Sequence, residues 1–423
     1  MRSSPVWLIL AGFMILLDFY VFQIVKTVSQ GGGPRTKSIV YISYWTISVL
    51  ALLILFVLPY LQLDTYSRSV RSTLFAIIIG LFLAKLIGAV FFLIDDIRRG
   101  VQWLAGKVFF RNTEGEEISG ESGISRSLFL SWLGIAVGGG LFSSLVYGFS
   151  NKYNYKVRRL RLNYTNLPQA FRGLKILQLS DIHSGSFTNK EAVLKGVEKA
   201  MALSPDLILF TGDLVNDRAL EMDHYKDVFS RLKAPMGVYS ILGNHDYGDY
   251  YWGHNPQGAE ALEKSRNLEA LKQLQAAMGW RLLMDEHVVL EKDAQQIALI
   301  GIQNWSALKR FPKYGNLQKA YSGAEHLPFK ILMSHDPTHW DAEVRPKYPD
   351  IDLMLAGHTH GMQFGVEIPG FKWSPVEYVY KQWMGLYEEG PQKLYVNRGF
   401  GFIGYPGRVG ILPELTLIEL SGS

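Results

Sequence analysis

Apolar residues are concentrated in four long runs within the first 150 residues of the chain, at 5–25, 38–63, 72–94 and 127–149. Each run is as long as the roughly 20 helical residues that cross the hydrocarbon core of a bilayer. Helices of soluble proteins are shorter on average and carry a polar face, so four buried helices are the weaker alternative. A cleaved signal peptide is disfavoured because the first run is too long and three more follow it. The pattern predicts four transmembrane helices.

Two charged residues lie inside these runs, Asp18 in the first and Lys85 in the third. The first and third spans cross in the same direction, and each charge lies 13 residues after the start of its run, so both lie at a similar depth. An unpaired charge near mid-membrane costs at least about 2.5–3.5 kcal/mol. We therefore expect an interhelical ion pair between Asp18 and Lys85. The alternative is that Lys85 reaches the interface and Asp18 lies at a water-filled edge.

The fourth run contains Gly134 and Gly138, a spacing that allows close packing against another helix. Lys and Arg residues near the span ends do not decide the orientation, since eight fall on each side. A dense basic cluster at 152–161 directly follows the last run, and positive residues favour the cytoplasmic side. We expect an integral, multi-pass membrane protein whose C-terminal part is cytoplasmic.

After residue 150 the pattern changes to short apolar runs that alternate with amphipathic stretches. The apolar runs have the length of buried strands and lie at 175–180, 206–210, 238–242, 297–300, 330–333, 351–355, 394–396 and 415–420. The helical patterns lie at 190–203, 224–232 and 259–278. Strands that alternate with helices indicate an α/β fold with parallel pairing. We expect two parts, a four-span transmembrane region over residues 1–150 and one α/β domain over residues 151–423.

Composition excludes several classes of protein. The chain is 48% hydrophobic and only 19% charged, which fits a membrane protein and excludes a disordered chain. It has no Cys, so disulfides, Cys-ligated metals and a Cys nucleophile are excluded. The formal net charge of +5 is modest and requires no nucleic-acid partner.

Polar residues that carry chemistry follow five of the predicted strands. They are Asp181 and His183, Asp213, Asn244 to Asp246, His335, and His358 and His360. Alone, each is an ordinary turn or capping residue. Together they include five of the ten His residues of the chain, and ligands bind at the carboxyl ends of strands in open α/β sheets. We therefore expect one site, and its imidazole and carboxylate groups suit two divalent ions such as Zn, Fe or Mn.

The motifs resemble, in this order, the signature of the calcineurin-like metallophosphoesterases: Asp181-x-His183, Gly212-Asp213, Gly243-Asn-His-Asp246, His335 and Gly357-His-x-His360. The resemblance covers roughly residues 170–420, and residues 398–401 and 413–418 resemble the membrane-attached bacterial branch of the family. One departure is Met362, where that branch often has Gly. The resemblance implies a four-layer α/β fold, with a central β-sandwich of two sheets flanked by helices.

The resemblance also implies a role for each motif residue. Three residues would hold the first of two divalent ions (Mn, Fe or Zn): Asp181, His183 and His360. Three would hold the second: Asn244, His335 and His358. Asp213 would bridge the two ions. His245 would contact the phosphate and protonate the leaving oxygen, and Asp246 would orient His245.

These features predict a membrane-anchored phosphoesterase in which a metal-bridging hydroxide attacks a phosphoester or pyrophosphate bond. Monoester, diester and pyrophosphate substrates remain open, and no protein partner can be inferred. The alternative is a non-enzymatic membrane scaffold or transporter-like module that keeps the fold. Loss of a motif Asp or His would favour that alternative, and none is lost.

Two aromatic segments lie beside the motifs, at 246–254 and 362–387. Trp and Tyr favour the headgroup level of a membrane, so we expect contact with membrane lipid through Trp373 and Trp383, and a lipid-linked phosphoester or an envelope precursor as substrate. Ordinary packing is the alternative. Two further residues, Arg398 and Arg408, are candidate phosphate or headgroup contacts, or else members of surface ion pairs.

Overall fold

The computed structural model describes residues 5–57, 65–109 and 126–422. It divides into two compact units, Met1–Tyr147 and Gly148–Ser423. The boundary after residue 150 that the sequence indicates stays a prediction.

Four α-helices make up the described part of the first unit: α1 Pro5–Val28, α2 Pro34–Val57, α3 Thr65–Phe109 and α4 Arg126–Gly148. Each contains a stretch long and apolar enough to cross a membrane, which confirms the four predicted spans. Residues 58–63, the end of the second apolar run, lie outside the described residues. The structure also does not describe the side chains of five basic residues that count towards the orientation: Arg2, Arg68, Lys107, Arg111 and Arg126. With 45 residues, α3 is about 68 Å long and exceeds a hydrocarbon core of about 30 Å.

The expected ion pair between α1 and α3 is present. Lys85 Nζ lies 2.5 Å from Asp18 Oδ1, and both side chains are buried. The hydroxyl of Ser48 in α2 lies 2.9 Å from the Asp18 carboxylate and 2.8 Å from the Lys85 amine. The Tyr44 hydroxyl also donates to the carboxylate, at 3.1 Å. The pair is therefore confirmed, and it belongs to a buried polar cluster that links three helices.

Two glycines bring α4 close to α3. A Cβ at Gly138 would lie 2.4 Å from the carbonyl oxygen of Ala84, and a Cβ at Gly134 would lie 3.1 Å from that of Gly88. A side chain at Gly138 would force the helices apart. The spacing of the two glycines thus serves the close helix packing that the sequence indicates.

The second unit is built from strands joined by helices. Its strands are β1 Lys156–Tyr164, β2 Lys175–Leu179, β3 Leu207–Phe210, β4 Val238–Ser240, β5 Arg281–Leu282, β6 Glu286–Lys292, β7 Gln295–Gly301, β8 Lys330–Met333, β9 Leu353–Ala356, β10 Val366–Ile368, β11 Phe371–Trp373, β12 Gly385–Glu389, β13 Gln392–Val396 and β14 Glu414–Gly422. Its helices are α5 Lys190–Met201, α6 Lys226–Phe229, α7 Asp249–Trp252, α8 Gly258–Ala277, α9 Leu317–Tyr321 and α10 Arg345–Lys347.

The strands form two six-stranded sheets and a small hairpin of β10 and β11. The first sheet has the order β1-β14-β2-β3-β4-β5, and the second has the order β12-β13-β9-β8-β7-β6. Strands β2 to β5 are parallel in the first sheet, and β7, β8, β9 and β13 are parallel in the second. Each sheet therefore presents a row of carboxyl strand ends at one edge.

Alternating side chains of the buried strands belong to different layers. In β3, Leu207 and Leu209 pack in the core between the two sheets, whereas Ile208 and Phe210 pack beneath helices α5, α6 and α8. Residues of β7, β8 and β9 pack on the far side of the second sheet against α9. Strands buried on both faces are almost uniformly apolar, which is the pattern that predicted them. The four layers confirm the predicted fold.

All eight predicted strands and all three predicted helices are present. Strand β1 escaped prediction because its sequence is basic, with Arg158, Arg159 and Arg161 among apolar residues. It pairs with β14 at the edge of the first sheet, where charged side chains remain in water. Most of the basic cluster at 152–161 is therefore part of the sheet.

Candidate metal centre

The five polar motifs lie at the carboxyl ends of β2, β3, β4, β8 and β9, and the two sheets bring them together. Two groups of side chains could each hold a metal ion, with ligand atoms that lie within 4.8 Å of one another. The first group consists of Asp181, His183 and His360, and the second of Asp213, His335 and His358. Each group combines residues that follow strands of both sheets. The structure thus brings together the residues that the sequence singles out.

In the first group, two imidazole nitrogens point at the same place. His183 Nε2 lies 3.0 Å from His360 Nε2, and His360 Nε2 lies 3.2 Å from Asp181 Oδ1. All three side chains are buried. Converging nitrogen lone pairs beside a buried carboxylate suit a divalent cation.

The second group lies next to the first. His335 Nε2 lies 3.1 Å from Asp213 Oδ2 and 3.3 Å from His358 Nδ1. The same oxygen of Asp213 lies 3.6 Å from His183 Nε2 in the first group. Asp213 is therefore the residue whose carboxylate contacts both groups.

The side chain of Asn244 is suited to be a metal ligand. It is only 2% exposed, and its amide nitrogen donates to the Tyr250 hydroxyl at 2.9 Å. Its Oδ1 has no hydrogen-bond partner within the described part of the chain. A buried acceptor left unpaired costs about 1–3 kcal/mol, and a bound cation would satisfy it. The residues present therefore fit divalent metal ions.

The backbone of the site is strained. Five of the seven candidate ligands have a positive φ, between 48° and 72°: Asp181, His183, Asp213, His358 and His360. This left-handed conformation is uncommon for residues other than Gly. Such strain persists where the surrounding structure enforces it, and it is frequent at functional sites.

Two motif glycines leave room for the carboxylates. A Cβ at Gly243 would lie 2.2 Å from Asp213 Oδ1, and a Cβ at Gly357 would lie 2.2 Å from Asp181 Oδ2. No other residue type fits beside these oxygens. Glycine is therefore required before Asn244 and before His358, because a carboxylate oxygen lies where a Cβ would be.

His245 is held in one orientation. Its Nδ1 lies 2.7 Å from the carbonyl oxygen of Asn216, which can only accept, so Nδ1 carries the hydrogen. Its ring stacks on Tyr250, with centroids 4.3 Å apart, and is partly exposed to a cavity. Its Nε2 is left free to accept or donate a proton there.

The role expected for Asp246 needs correction. Its carboxylate accepts the backbone N–H groups of Asp213, Leu214, Val215 and Gly243, at 2.8 to 3.2 Å. The group that orients the His245 ring is instead the Asn216 carbonyl, which the sequence could not indicate. Asp246 holds the turn that carries Asp213, because a buried carboxylate needs several donors.

Burial and neighbouring charges decide the protonation of the second group. Burial lowers the pKa of His358 to about 4. Burial also disfavours the charged form of His335, but Asp213 outweighs it and raises the pKa of His335 to about 10. Burial likewise disfavours ionised Asp213, yet His335 and His245 hold the pKa of its carboxyl well below the usual range. A metal ion that takes His335 as a ligand must displace its proton.

Beside both groups lies a cavity of about 390 Å³. Its polar lining includes His183, Asp213, Asn244, His245, His358 and His360. Its apolar lining consists of Phe311, Met362, Pro375, Val376, Val379 and Ile403. The cavity therefore joins a charged end to an apolar wall.

The structure does not bring Arg398 or Arg408 to this cavity. Arg398 is buried and pairs with Glu414 and, at 2.7 Å, with Glu367. Arg408 is fully buried, and its guanidinium donates to the carbonyl of Arg398 at 2.7 Å and to that of Gly401. Both guanidinium groups are occupied by protein partners, so neither is available to a phosphate.

Several residues of the site escaped sequence reasoning. Tyr380 lies 2.8 Å from His358 Nε2, and Arg310 donates to Tyr380 at 3.3 Å. Tyr380 belongs to the aromatic segment 362–387, which was a signal, whereas Arg310 lies in a loop without any motif.

Trp383 was expected to contact membrane lipid. Its side chain is 3% exposed and packs in a small core, so the prediction of a membrane contact for Trp383 was wrong.

The fold and the paired His/Asp groups define a metal-dependent phosphoesterase. A family model described as calcineurin-like phosphoesterase matches residues 174–362, and one described as a probable calcineurin-like phosphoesterase transmembrane domain matches residues 1–152. The chain belongs to the calcineurin-like metallophosphoesterase family.

Its relatives include membrane proteins and hydrolases. A transmembrane protein with metallophosphoesterase domain from Danio rerio is 29% identical over 74% of this chain and 67% of its own. Phosphodiesterase YaeI of Escherichia coli is 30% identical over 58% of this chain and 82% of its own. The UDP-2,3-diacylglucosamine pyrophosphatase LpxG of Chlamydia trachomatis is 28% identical over 58% of this chain and 84% of its own.

Proposed function

We propose that this membrane protein is a hydrolase of phosphoester or pyrophosphate bonds that uses two divalent ions. The observation that carries the proposal is the position of Asp213, whose Oδ2 lies 3.1 Å from His335 in one group and 3.6 Å from His183 in the other. A carboxylate between two sets of ligands suits a bridging role.

The first ion would be held by Asp181, His183 and His360, and the second by Asn244, His335 and His358. These nitrogen and oxygen donors suit Mn, Fe or Zn. When bound, two such ions neutralise phosphate charge and supply hydroxide near neutral pH. The chain provides the fixed ligands, and its buried carbonyl of Thr211, 2.7 Å from His335 Nδ1, keeps Nε2 of that ring available for an ion.

His245 is proposed to donate a proton to the leaving oxygen. The Asn216 carbonyl occupies Nδ1, so proton transfer must take place at Nε2. The ring lines the cavity and lies 4.9 Å, centroid to centroid, from the ring of His183. A proton held at this position assists the departure of a poor leaving group.

The substrate is proposed to be a lipid-linked or otherwise membrane-borne phosphoester. The apolar wall of the cavity suits a substrate with an apolar part rather than a wholly polar ester. The exposed side chains of Met362 and Val379 extend this wall outwards. The chain also carries four helices long enough to span a membrane. A relative named for a diacylated substrate, the chlamydial pyrophosphatase, fits the same chemistry.

The test of the function is hydrolysis by purified full-length protein reconstituted with Mn, Fe or Zn, on a panel of phosphoesters and lipid-linked diphosphates. Asp213→Ala is expected to abolish both metal retention and activity, because both ions lose a shared ligand. Asp352→Ala is the matched control, since Asp352 is also a buried carboxylate but lies outside the two groups. Full activity of the Asp213 variant would contradict the proposal.

We further propose that the catalytic domain is cytoplasmic, because the basic segment 152–161 follows the last span. The chain has no Cys, so a single introduced Cys reports its own side of the membrane. Leu262 of α8 is 52% exposed and suits the substitution Leu262→Cys. A membrane-impermeant maleimide should label this variant only after cells are opened. Labelling of intact cells would place the domain outside.

A further inference from the structure

One cationic side chain reaches the cavity. Arg310 is the sole Lys or Arg among the described residues that line it. Its side chain is exposed, and it forms no salt bridge with a carboxylate within the described part of the chain. Arg398 and Arg408, by contrast, are buried among protein acceptors. Arg310 is thus a positive charge without a protein counter-ion at the mouth of a site for anions.

The loop that carries Arg310 is fixed at its base. It spans residues 302–316, and one carboxylate oxygen of Asp285 accepts the N–H groups of Gln303 and Asn316, both at 3.0 Å. Within the loop, the side chain of Asn304 donates to the Pro312 carbonyl at 3.0 Å. These hydrogen bonds hold the two ends of the loop together, so the fold sets the backbone position of Arg310.

Contacts with aromatic rings place the guanidinium beside the second group of ligands. Arg310 lies over the ring of Phe311, 4.7 Å from its centroid, and donates to the Tyr380 hydroxyl at 3.3 Å. Both rings contact His358: Phe311 edge-on with centroids 4.7 Å apart, and Tyr380 through its hydroxyl, 2.8 Å from Nε2. The Tyr380 hydroxyl therefore connects the guanidinium to His358, a proposed metal ligand.

Arg310 and His245 line the same cavity. The ring of Tyr250 lines this cavity as well. Tyr250 stacks on His245, the proposed donor to the leaving oxygen. The charge of Arg310 thus acts near the place where a leaving group departs.

We propose that Arg310 is a specificity-determining residue that binds a second phosphate on the leaving side of the substrate, so that diphosphates are preferred over esters with a single phosphate. This inference rests on the proposed function. The two divalent ions that these ligands would hold would offset the charge of the attacked phosphate, which leaves the guanidinium for another anion. Its fork of donors suits two phosphate oxygens at once. Hydrolysis then adds one water across the P–O–P bond, and each product keeps one phosphate.

The test compares two substrates with metal-loaded, full-length protein in detergent. One is UDP-glucose, which has a diphosphate bridge, and the other is the p-nitrophenyl ester of thymidine 5′-monophosphate, which has a single phosphate. Arg310→Gln is expected to raise KM for the first by about 10-fold or more, with a far smaller change for the second. Arg310→Lys should recover part of the loss. Lys309→Gln, an exposed neighbour, is the matched control and should leave both KM values unchanged.

Two outcomes overturn the inference. If Arg310→Gln raises the KM values of both substrates equally, Arg310 supports the site in general and does not select between the substrates. If Tyr380→Phe reproduces the same change in the ratio of KM values, Arg310 acts through Tyr380 only.

A binding measurement keeps the test separate from turnover. Calorimetric affinity for methylenediphosphonate, whose P–C–P bridge cannot be hydrolysed, should fall by about 10-fold in Arg310→Gln, while affinity for orthophosphate changes little. Absence of hydrolysis by the unmodified protein would contradict the proposed function, whereas unchanged methylenediphosphonate affinity would contradict the role of Arg310.

Discussion

Asp246 fixes the position of Asp213 through the backbone, because its Oδ2 accepts the Asp213 N–H at 2.9 Å. The same carboxylate accepts three further N–H groups of the adjoining turns. Asp213 belongs to the second ligand group, and its Oδ2 lies 3.6 Å from His183 Nε2 of the first group, so its position affects both groups. The acid that follows His245 in the sequence thus serves the metal centre.

Asp246→Ala is therefore expected to weaken metal binding. Loss of a partner that orients a metal ligand typically costs about 10–100-fold in metal affinity. Elemental analysis of the purified variant after dialysis against a weak chelator measures this directly. If Asp246→Ala keeps its metal and loses only rate, the carboxylate acts on His245 after all.

His245→Ala should show the opposite behaviour. The ring belongs to neither ligand group, so both ions should stay bound. The rate should fall by about 10²–10⁴-fold, the usual contribution of a general acid, and the fall should shrink for esters of good leaving groups. Rates on a series of aryl esters, together with metal content, check both statements. Metal loss in this variant would contradict the proposed role.

Adjacent glycines of α4 offer a matched comparison for helix packing. A Cβ at Gly138 would lie 2.4 Å from the Ala84 carbonyl, whereas a Cβ at Gly139 meets nothing within 4 Å. Gly138→Ala should destabilise the helical unit by about 1–3 kcal/mol, as overpacking does. Gly139→Ala should stay within about 0.5 kcal/mol. Thermal unfolding in detergent measures both, and equal effects would mean that α3 and α4 do not meet at Gly138.

The ion pair of Asp18 with Lys85 predicts the result of a charge exchange. Asp18→Leu or Lys85→Leu alone leaves a buried charge without its partner, which costs about 3–5 kcal/mol, and should lower the yield of folded protein. The double exchange Asp18→Lys with Lys85→Asp should restore it. Lys26→Leu is the control, because Lys26 is exposed and its amine, which donates to Gln23 and lies over the Phe22 ring, has no salt bridge among the described residues. A double exchange no better than the worse single variant would mean that the pair contributes nothing.

The apolar edge of the cavity should matter only for membrane-borne substrates. Met362 and Val379 are 55% and 52% exposed and line the cavity, whereas Trp383 is buried and its replacement would disturb packing. Met362→Gln with Val379→Gln should slow hydrolysis of a lipid-linked ester in micelles but not that of a small soluble ester. Leu262→Gln, at an exposed position outside the cavity, is the control. Equal losses on both substrates would indicate a structural role.

Local patterns in the sequence predicted much of this protein. Four apolar runs of membrane length predicted four spans, since hydrocarbon thickness fixes the length of a helix that crosses it. The depth of Asp18 and Lys85 along two parallel spans predicted their pairing. The Asp, Asn and His residues after the buried strands predicted one site, because parallel strands place their carboxyl ends at a common edge.

Only the tertiary structure decided which groups meet across the chain. His358 and Asp213 come together because strands of different sheets end at the same edge. A backbone carbonyl, that of Asn216, orients His245, and any residue type could supply it. Arg310 reaches the cavity from a loop without a local pattern, while Arg398 finds Glu414 inside the fold. Periodicity and spacing report contacts between near neighbours, whereas these pairings depend on how distant segments pack.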